Sequence, residues 1–268
     1  MVRRSRQQRR VTLRETAFPA SWVSMLKRNV PVYVRLPSTL RHQLHGHIQI
    51  FLAEKDFEGC GGLVITDEIR VTIAAQACLL LLNRETTFFP GVTTILVYPE
   101  TYVAPQTRYD GVVESVSEDI RAGESWHRGP VVLSWADVMR GTAYYGSAHN
   151  VVLHEFAHKL DEENEHAEGL PTLADPAQQK KWAEVLGREY LQLQASADRD
   201  EPTVLDHYGA TSPSEFFAVA TETFFETPIA LKQRHPQLYE QLGKFYNINP
   251  ASWRGKTSDP GTPRQTAR

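Results

Sequence analysis

Apolar positions along the chain follow two spacings, and the helical one dominates. After Val151-Val152, the residues Leu153, Phe156, Ala157 and Leu160 recur at i, i+3, i+4 and i+7, the stripe of an amphipathic helix. Ser147 or Asn150 is placed to cap its start, and the polar Asp161-Glu162-Glu163-Asn164 ends its buried part. The same period predicts a helix from Ser38 to about Lys55, with Leu40, Leu44, Ile48, Phe51 and Leu52 inside. A second covers 68–83, capped by Thr66 or Asp67, and a third runs from Asp175-Pro176 to about Ala197. Ser212-Pro213 opens a fourth, with Phe216, Ala220 and Phe224 facing inward. Pro228 and Pro236 punctuate two shorter helices, the second ending near Tyr246.

The other spacing belongs to strands. Leu63-Val64-Ile65, Val92–Tyr98 and 131–135 are short β-branched runs bounded by turn residues. Residues 131–135 stand just before the helix at 151, so they are expected to form an edge strand that pairs with extended substrate. An interior strand is the equal alternative. Residues 100–128 read as polar loop with a short strand near 111–116, and 18–37 as an extended lead-in anchored by Trp22 and three prolines. Helices and strands together predict an α+β fold.

The two ends lack such periodicity. Six arginines fall within residues 3–14 with no acid among them, which predicts a disordered basic arm over 1–17. Such an arm could touch nucleic acid only weakly. Residues 254–268, rich in Gly, Pro, Thr and Arg, predict a disordered tail. Between them, 18–253 forms one unit, with lobes of about 18–161 and 162–253 around a cleft.

Composition narrows the class. A net charge of −3 does not suit a polyanion binder. Two cysteines give no disulfide framework and point to a reducing, cytoplasmic setting. No apolar core follows the arginines, so no secretory signal is expected, and the apolar run 77–82 is too short to span a membrane. His42, His45 and His47 do not share one face and are expected at the surface or in packing.

Candidate chemistry sits on the helix at 151. His154 and His158 are four residues apart, so both imidazoles can reach one metal ion. Glu155 beside them is placed to exchange a proton with water. The plainer reading is a helix with two His and a Glu on a polar face. A catalytic zinc takes three protein ligands and leaves a position open, so a third ligand must lie downstream. Glu215 is the best candidate, although Ser212-Pro213-Ser214-Glu215 reads equally well as a capping box. His207 is a substitute. Asp161 shares the face of the His pair, and Glu222, seven residues beyond Glu215, could hold a ligating His from behind. For Glu222 an ordinary half-exposed helix Glu is the preferred reading.

The stretch His154-Glu155-Phe156-Ala157-His158-Lys159-Leu160-Asp161, with Tyr208-x6-Glu215-x-Phe217-Ala218-Val219, resembles the Mlc titration factor A family of zinc-dependent peptidases. Residues 129–135, 95–99 and 244–246 are similar to it as well, so the likeness covers about 20–250. The active-site part also resembles the catalytic domain of anthrax lethal factor. The resemblance implies a zincin-like α+β fold: a small mixed sheet, an active-site helix and a mainly helical C-terminal lobe. It implies one Zn2+ per chain on His154, His158 and Glu215, with Glu155 as general base and Tyr208 stabilising the oxyanion. It decides Glu215 for the metal and leaves Asp161 and Glu222 open.

The same resemblance implies aminopeptidase-like hydrolysis of short peptides. It also implies binding to a glucose-responsive transcriptional repressor, which is thereby sequestered. The alternative is a non-catalytic repressor-binding protein whose zinc is structural. A structural zinc is normally closed by four protein ligands, and the sequence offers three good ones. The arginine-rich start and the loop between the motif helix and Tyr208 depart from the family, which bears on partners more than on chemistry.

Overall fold

Strands β1 (Asp56–Gly59), β2 (Thr94–Tyr98), β3 (Tyr102–Asp110), β4 (Val113–Arg121), β5 (Gly123–Ser125) and β6 (Val131–Ser134) make two sheets. The first has the order β1-β2-β6-β5, with β1, β2 and β6 parallel and β5 antiparallel at the edge. The second is the β3–β4 hairpin ladder. The computed structural model describes residues 5–100, 102–110, 113–121, 123–125, 129–143, 145–164, 169 and 175–253. The expected tail at 254–268 lies outside these residues.

Strand β6 is interior. It is hydrogen-bonded on both sides and all four of its residues are buried, so the edge expected at 131–135 belongs instead to β5. Its parallel register sets Val131 opposite Ile95 and Leu133 opposite Val97, all at most 1% exposed. The two-sided burial of β6 is the reason it reads as a continuous apolar run, while β2 alternates between buried and half-buried positions. Residues 63–65 form no strand. The chain doubles back immediately after β1: a Cβ on Gly59 would lie 1.9 Å from the Leu63 carbonyl oxygen. Gly61 and Gly62 take left-handed φ of 59° and 81° in the turn, and Val64 is left 77% exposed. The polar region 100–128 supplies β3, β4 and β5: β4 overlaps the short strand expected near 111–116, while β3 and β5 stand where a loop was expected.

The amino-terminal third is helical. Residues 6–15 form α1 (Arg6–Glu15), not a disordered arm. Ser5 and Gln8 close a capping box at its start. Arg10 is 9% exposed and donates to both oxygens of Glu54 at 2.7 Å and to the Thr87 carbonyl at 3.1 Å. Arg6 also reaches Glu54, and these bonds, Arg10's first, hold that carboxyl down at about 2 against its burial. The lead-in expected at 18–37 is α2 (Ala20–Asn29) and α3 (Pro31–Arg35). Its prolines do not break these helices because Pro19 and Pro31 occupy the cap and first-turn positions that tolerate proline. His45 stacks on Phe18 at 3.9 Å, so that histidine is a packing residue.

Helices α4 (Ser38–Glu54) and α5 (Asp67–Leu79), the latter capped by Thr66, pack on each other. Strand β6 runs directly into α6 (Trp135–Ala143), which leads to α7 (Val151–Asp161). Phe156 of α7 meets Phe51 and Phe89 at 5.7 and 4.8 Å, fixing the buried face of the motif helix. The carboxy-terminal part is α8 (Pro176–Asp198), α9 (Pro213–Glu226), α10 (Pro228–Arg234) and α11 (Pro236–Tyr246). Trp182 of α8, Phe217 of α9 and Phe245 of α11 form its aromatic centre. Helices α7 and α9 pack together, one from each part. The architecture is the expected zincin-like α+β fold. Among the described residues, no helix is long and apolar enough to cross a membrane.

Candidate metal centre

Asn150 begins α7. Its Oδ1 accepts from the Leu153 amide at 3.0 Å, so of the two cap residues expected, Asn150 takes the role. One and two turns on, His154 and His158 project from the same face, with ring centroids 4.8 Å apart. Helix α9 meets them with its first turn. Ser212 Oγ accepts from the Glu215 amide at 3.2 Å, which is half of a capping box. The Glu215 carboxylate turns away from the cap and toward the two imidazoles.

His154 Nε2 lies 2.9 Å from Glu215 Oε2, His158 Nε2 lies 3.4 Å from the same oxygen, and the two Nε2 atoms are 3.2 Å apart. Ligands about 2.05 Å from a tetrahedral zinc stand about 3.3 Å from one another, so this triangle fits such an ion. Among the described residues these three form the one His/Cys/Asp/Glu group able to hold a metal. Their side chains are 13–22% exposed, so the cluster has a solvent side. His207 is elsewhere: its Nε2 bonds the Glu201 carbonyl at 3.0 Å, which removes it as a substitute ligand.

Each imidazole is held from behind. His154 Nδ1 donates to Glu222 Oε1 at 2.7 Å. Glu222 is 5% exposed, so the half-exposed helix Glu preferred from sequence gives way to a buried partner of a His. His158 Nδ1 donates to Ser214 Oγ at 3.0 Å, and Ser214 donates onward to Asp161 Oδ2 at 3.2 Å. Asp161 thus acts on His158 through Ser214. With both Nδ1 atoms engaged, both Nε2 atoms are directed to one point. Asp161 Oδ2 also accepts from the Gly169 amide at 2.8 Å. Gly169 has φ 73°, and a Cβ there would lie 2.5 Å from the Pro213 carbonyl oxygen, so glycine lets this contact reach the start of α9.

The electrostatics follow from this crowding. Burial disfavours charge on His154, yet its bonds to Glu215 and Glu222 raise its pKa well above the usual value. Burial likewise opposes ionisation of Glu215, but the two His bonds hold it down at about 2. The carboxylates therefore attract positive charge to the point the Nε2 atoms share. Glu155 is 5% exposed and its Oε2 is buried with no hydrogen-bond partner. Burial pushes it up to about 7, against the opposing pull of His154 and His158. A carboxyl poised there can take and return a proton near neutral pH.

Tyr208 lies on a 3-10 turn, residues 207–210, whose start Asp206 caps by accepting from the Tyr208 amide at 2.7 Å. Its ring is 6.0 Å from that of His154 and 55% exposed, on the open side of the centre. A Cβ on Gly209 would come within 3.2 Å of Leu193 and Val219, so glycine seats the turn closely on α8 and α9.

Two neighbours were not expected from sequence. One is Ser214. The other is Glu226, which accepts from Asn150 Nδ2 at 3.1 Å, while the Asn150 amide donates to Glu222 Oε2 at 2.5 Å. Glu215, Glu222 and Glu226 fall at i, i+7 and i+11, one stripe of α9. That spacing is the signal that could have added Glu226.

The chain matches the family described as glucose-regulated metallo-peptidase M90 over residues 2–247. It belongs to that family. It is 42% identical over 234 residues to an uncharacterised protein of Synechocystis sp., covering 87% of this chain and 85% of that one. It is 30% identical over 258 residues to Mlc titration factor A of Yersinia pestis, covering 92% and 93%. The same figures hold for Mlc titration factor A of Yersinia pseudotuberculosis. As an M90 member the chain is a metallopeptidase, and a metal is implied. The donor set of this M90 chain, two Nε2 atoms and one carboxylate oxygen at ligand spacing, fits that requirement.

Proposed function

We propose that the chain is a zinc-dependent peptidase, aminopeptidase-like, acting on short peptides. The observation that carries this is the triangle of His154, His158 and Glu215 with the unpartnered Glu155 Oε2 beside it. Zinc bound by those three side chains would supply Lewis-acid polarisation of the scissile carbonyl and make water more acidic. Glu155 takes a proton from the attacking water, whose oxygen adds to the carbonyl carbon. Glu155 then returns that proton to the nitrogen as the C–N bond breaks. The Tyr208 hydroxyl donates to the developing oxyanion, and its exposed place beside His154 suits that role. Glu222 and Ser214 hold the imidazoles in line throughout. Three candidate ligands among the described residues support a catalytic centre over a structural one. The aminopeptidase-like preference rests on family resemblance.

The test pairs metal analysis with turnover. Wild-type protein should carry about one zinc and cleave short peptides with a free amino terminus. Glu155→Gln should keep the zinc and lose turnover by about 10²-fold or more. Full activity in that variant would refute the mechanism, and equal cleavage of amino-blocked peptides would refute the aminopeptidase preference.

A second role is supported by the name of the Yersinia relatives, Mlc titration factor A. On this reading the chain also sequesters a transcriptional repressor, by its surface and not by hydrolysis. Glu155→Gln should then still bind the repressor, and binding lost together with turnover would contradict it. The free thiols of Cys60 and Cys78 support a reducing, cytoplasmic setting.

A further inference from the structure

A cavity of about 720 Å³ opens between α1, α4 and the segment that follows α5. No residue of the metal centre lines it. Its walls carry Arg10, Arg14, His47 and Arg84. Arg10 is already taken, by Glu54 and the Thr87 carbonyl. The other three are not.

Arg84 lies flat on Phe245, 4.1 Å from the ring centroid, and its Nη1 is buried with no hydrogen-bond partner. Glu163 acts on it only from beyond ion-pair distance. Arg84 is half-buried, and a guanidinium nitrogen buried without an acceptor is costly, so Nη1 is open to an anion that would satisfy it. His47 is 3% exposed, and its Nδ1 also lacks a partner. Burial and then the charge of Arg14 push that imidazole down to about 4, so at neutral pH it can offer an N–H without adding charge. Arg14 is exposed, and its stem starts where α1 crosses close over α4: a Cβ on Gly46 would lie 3.0 Å from Arg14 Cγ. Glu15 and Glu85 also line the cavity and, like Arg14, are exposed.

We propose that this cavity binds a phosphate-bearing small molecule, its anion held between Arg14 and Arg84 with His47 as a third donor. Guanidinium groups from two different walls suit a tetrahedral dianion, because each fork can take a separate pair of oxygens. A planar carboxylate is satisfied by one fork. The volume is within the usual range for small-molecule sites and leaves room for an organic group beyond the phosphate. Because α1 carries Arg14 and Arg84 rests on α11, the bound anion would tie the first helix to the last.

The experiment is calorimetric titration of the full chain at fixed ionic strength, with inorganic phosphate and with glycerol 3-phosphate, and with chloride as the control. Saturable binding by wild type, weakened at least tenfold in Arg84→Gln, is the expected result. Circular dichroism establishes that the variant is folded; if it is not, Arg14→Gln decides in its place. Equal affinity for the two probes would identify a free-phosphate site, and tighter binding of the ester would show that the organic group is read as well. Absence of saturable binding by wild type, or unchanged affinity in the deciding variant, overturns the proposal.

Discussion

Glu222 and His154, 68 residues apart in sequence, share a 2.7 Å hydrogen bond that fixes which imidazole nitrogen faces the metal centre. Glu222 is buried and His154 half-buried, so the carboxylate is shielded from exchange with bulk water. Glu222→Gln should lower metal affinity by about 10- to 100-fold while leaving the fold intact. Competition with a chromogenic chelator measures this, and wild-type affinity in the variant would make Glu222 a packing residue only.

Ser214 has the equivalent place behind His158, but as a relay. Removing its hydroxyl parts His158 from Asp161 without touching either group. Ser214→Ala should weaken metal binding by about tenfold, and Asp161→Asn by a similar factor. If the relay is what matters, the double variant should cost little more than either single one. Additive losses would show that the two residues act separately.

Glu226 makes stability depend on pH. Burial, opposed by its bond from Asn150, pushes its carboxyl up to about 7 from an unfolded value of 4.5. Below pH 4.5 both states are protonated and the group costs nothing. As the pH rises toward 7 the unfolded chain ionises first, so the native state loses up to about 3 kcal/mol relative to it. Glu226→Gln should therefore match wild type in thermal stability near pH 4.5 and exceed it above pH 7. A stability gap that stays constant with pH would exclude this account.

Arg10 tests the docking of α1. Its removal leaves Glu54 partly buried with only the exposed Arg6 as partner. Arg10→Ala should cost about 3 kcal/mol, seen as a fall of several degrees in the melting temperature. A mobile basic arm would predict no change at all.

That helix also shows where local reading of the sequence stops. The arginines of that stretch look like a solvated arm because the acid that receives two of them, Arg6 and Arg10, is Glu54, 48 and 44 residues later. The His pair was legible because both imidazoles lie on one helix, where spacing alone sets geometry. Glu215 was ambiguous because its backbone amide does serve a cap, while its carboxylate answers to residues 57 and 61 positions away. Strand β6 was placed correctly along the chain, but edge and interior were equally open for it and the interior position holds, since which strand closes a sheet is decided by its neighbours. Helices whose partners are distant, such as α2 and α3, were hidden behind prolines that in fact occupy the cap of one and the first turn of the other.

The spacing between α7 and α9 has a consequence for synthesis. His154 and His158 leave the ribosome well before Glu215, which follows His154 by 61 residues. Until α9 is made, a nascent chain offers a metal only two imidazoles, with neither the third donor nor Glu222 to hold His154. On the proposed ligand set, capture of the ion would be deferred until α9 can fold, and a peptidase truncated before Glu215 would lack its third donor.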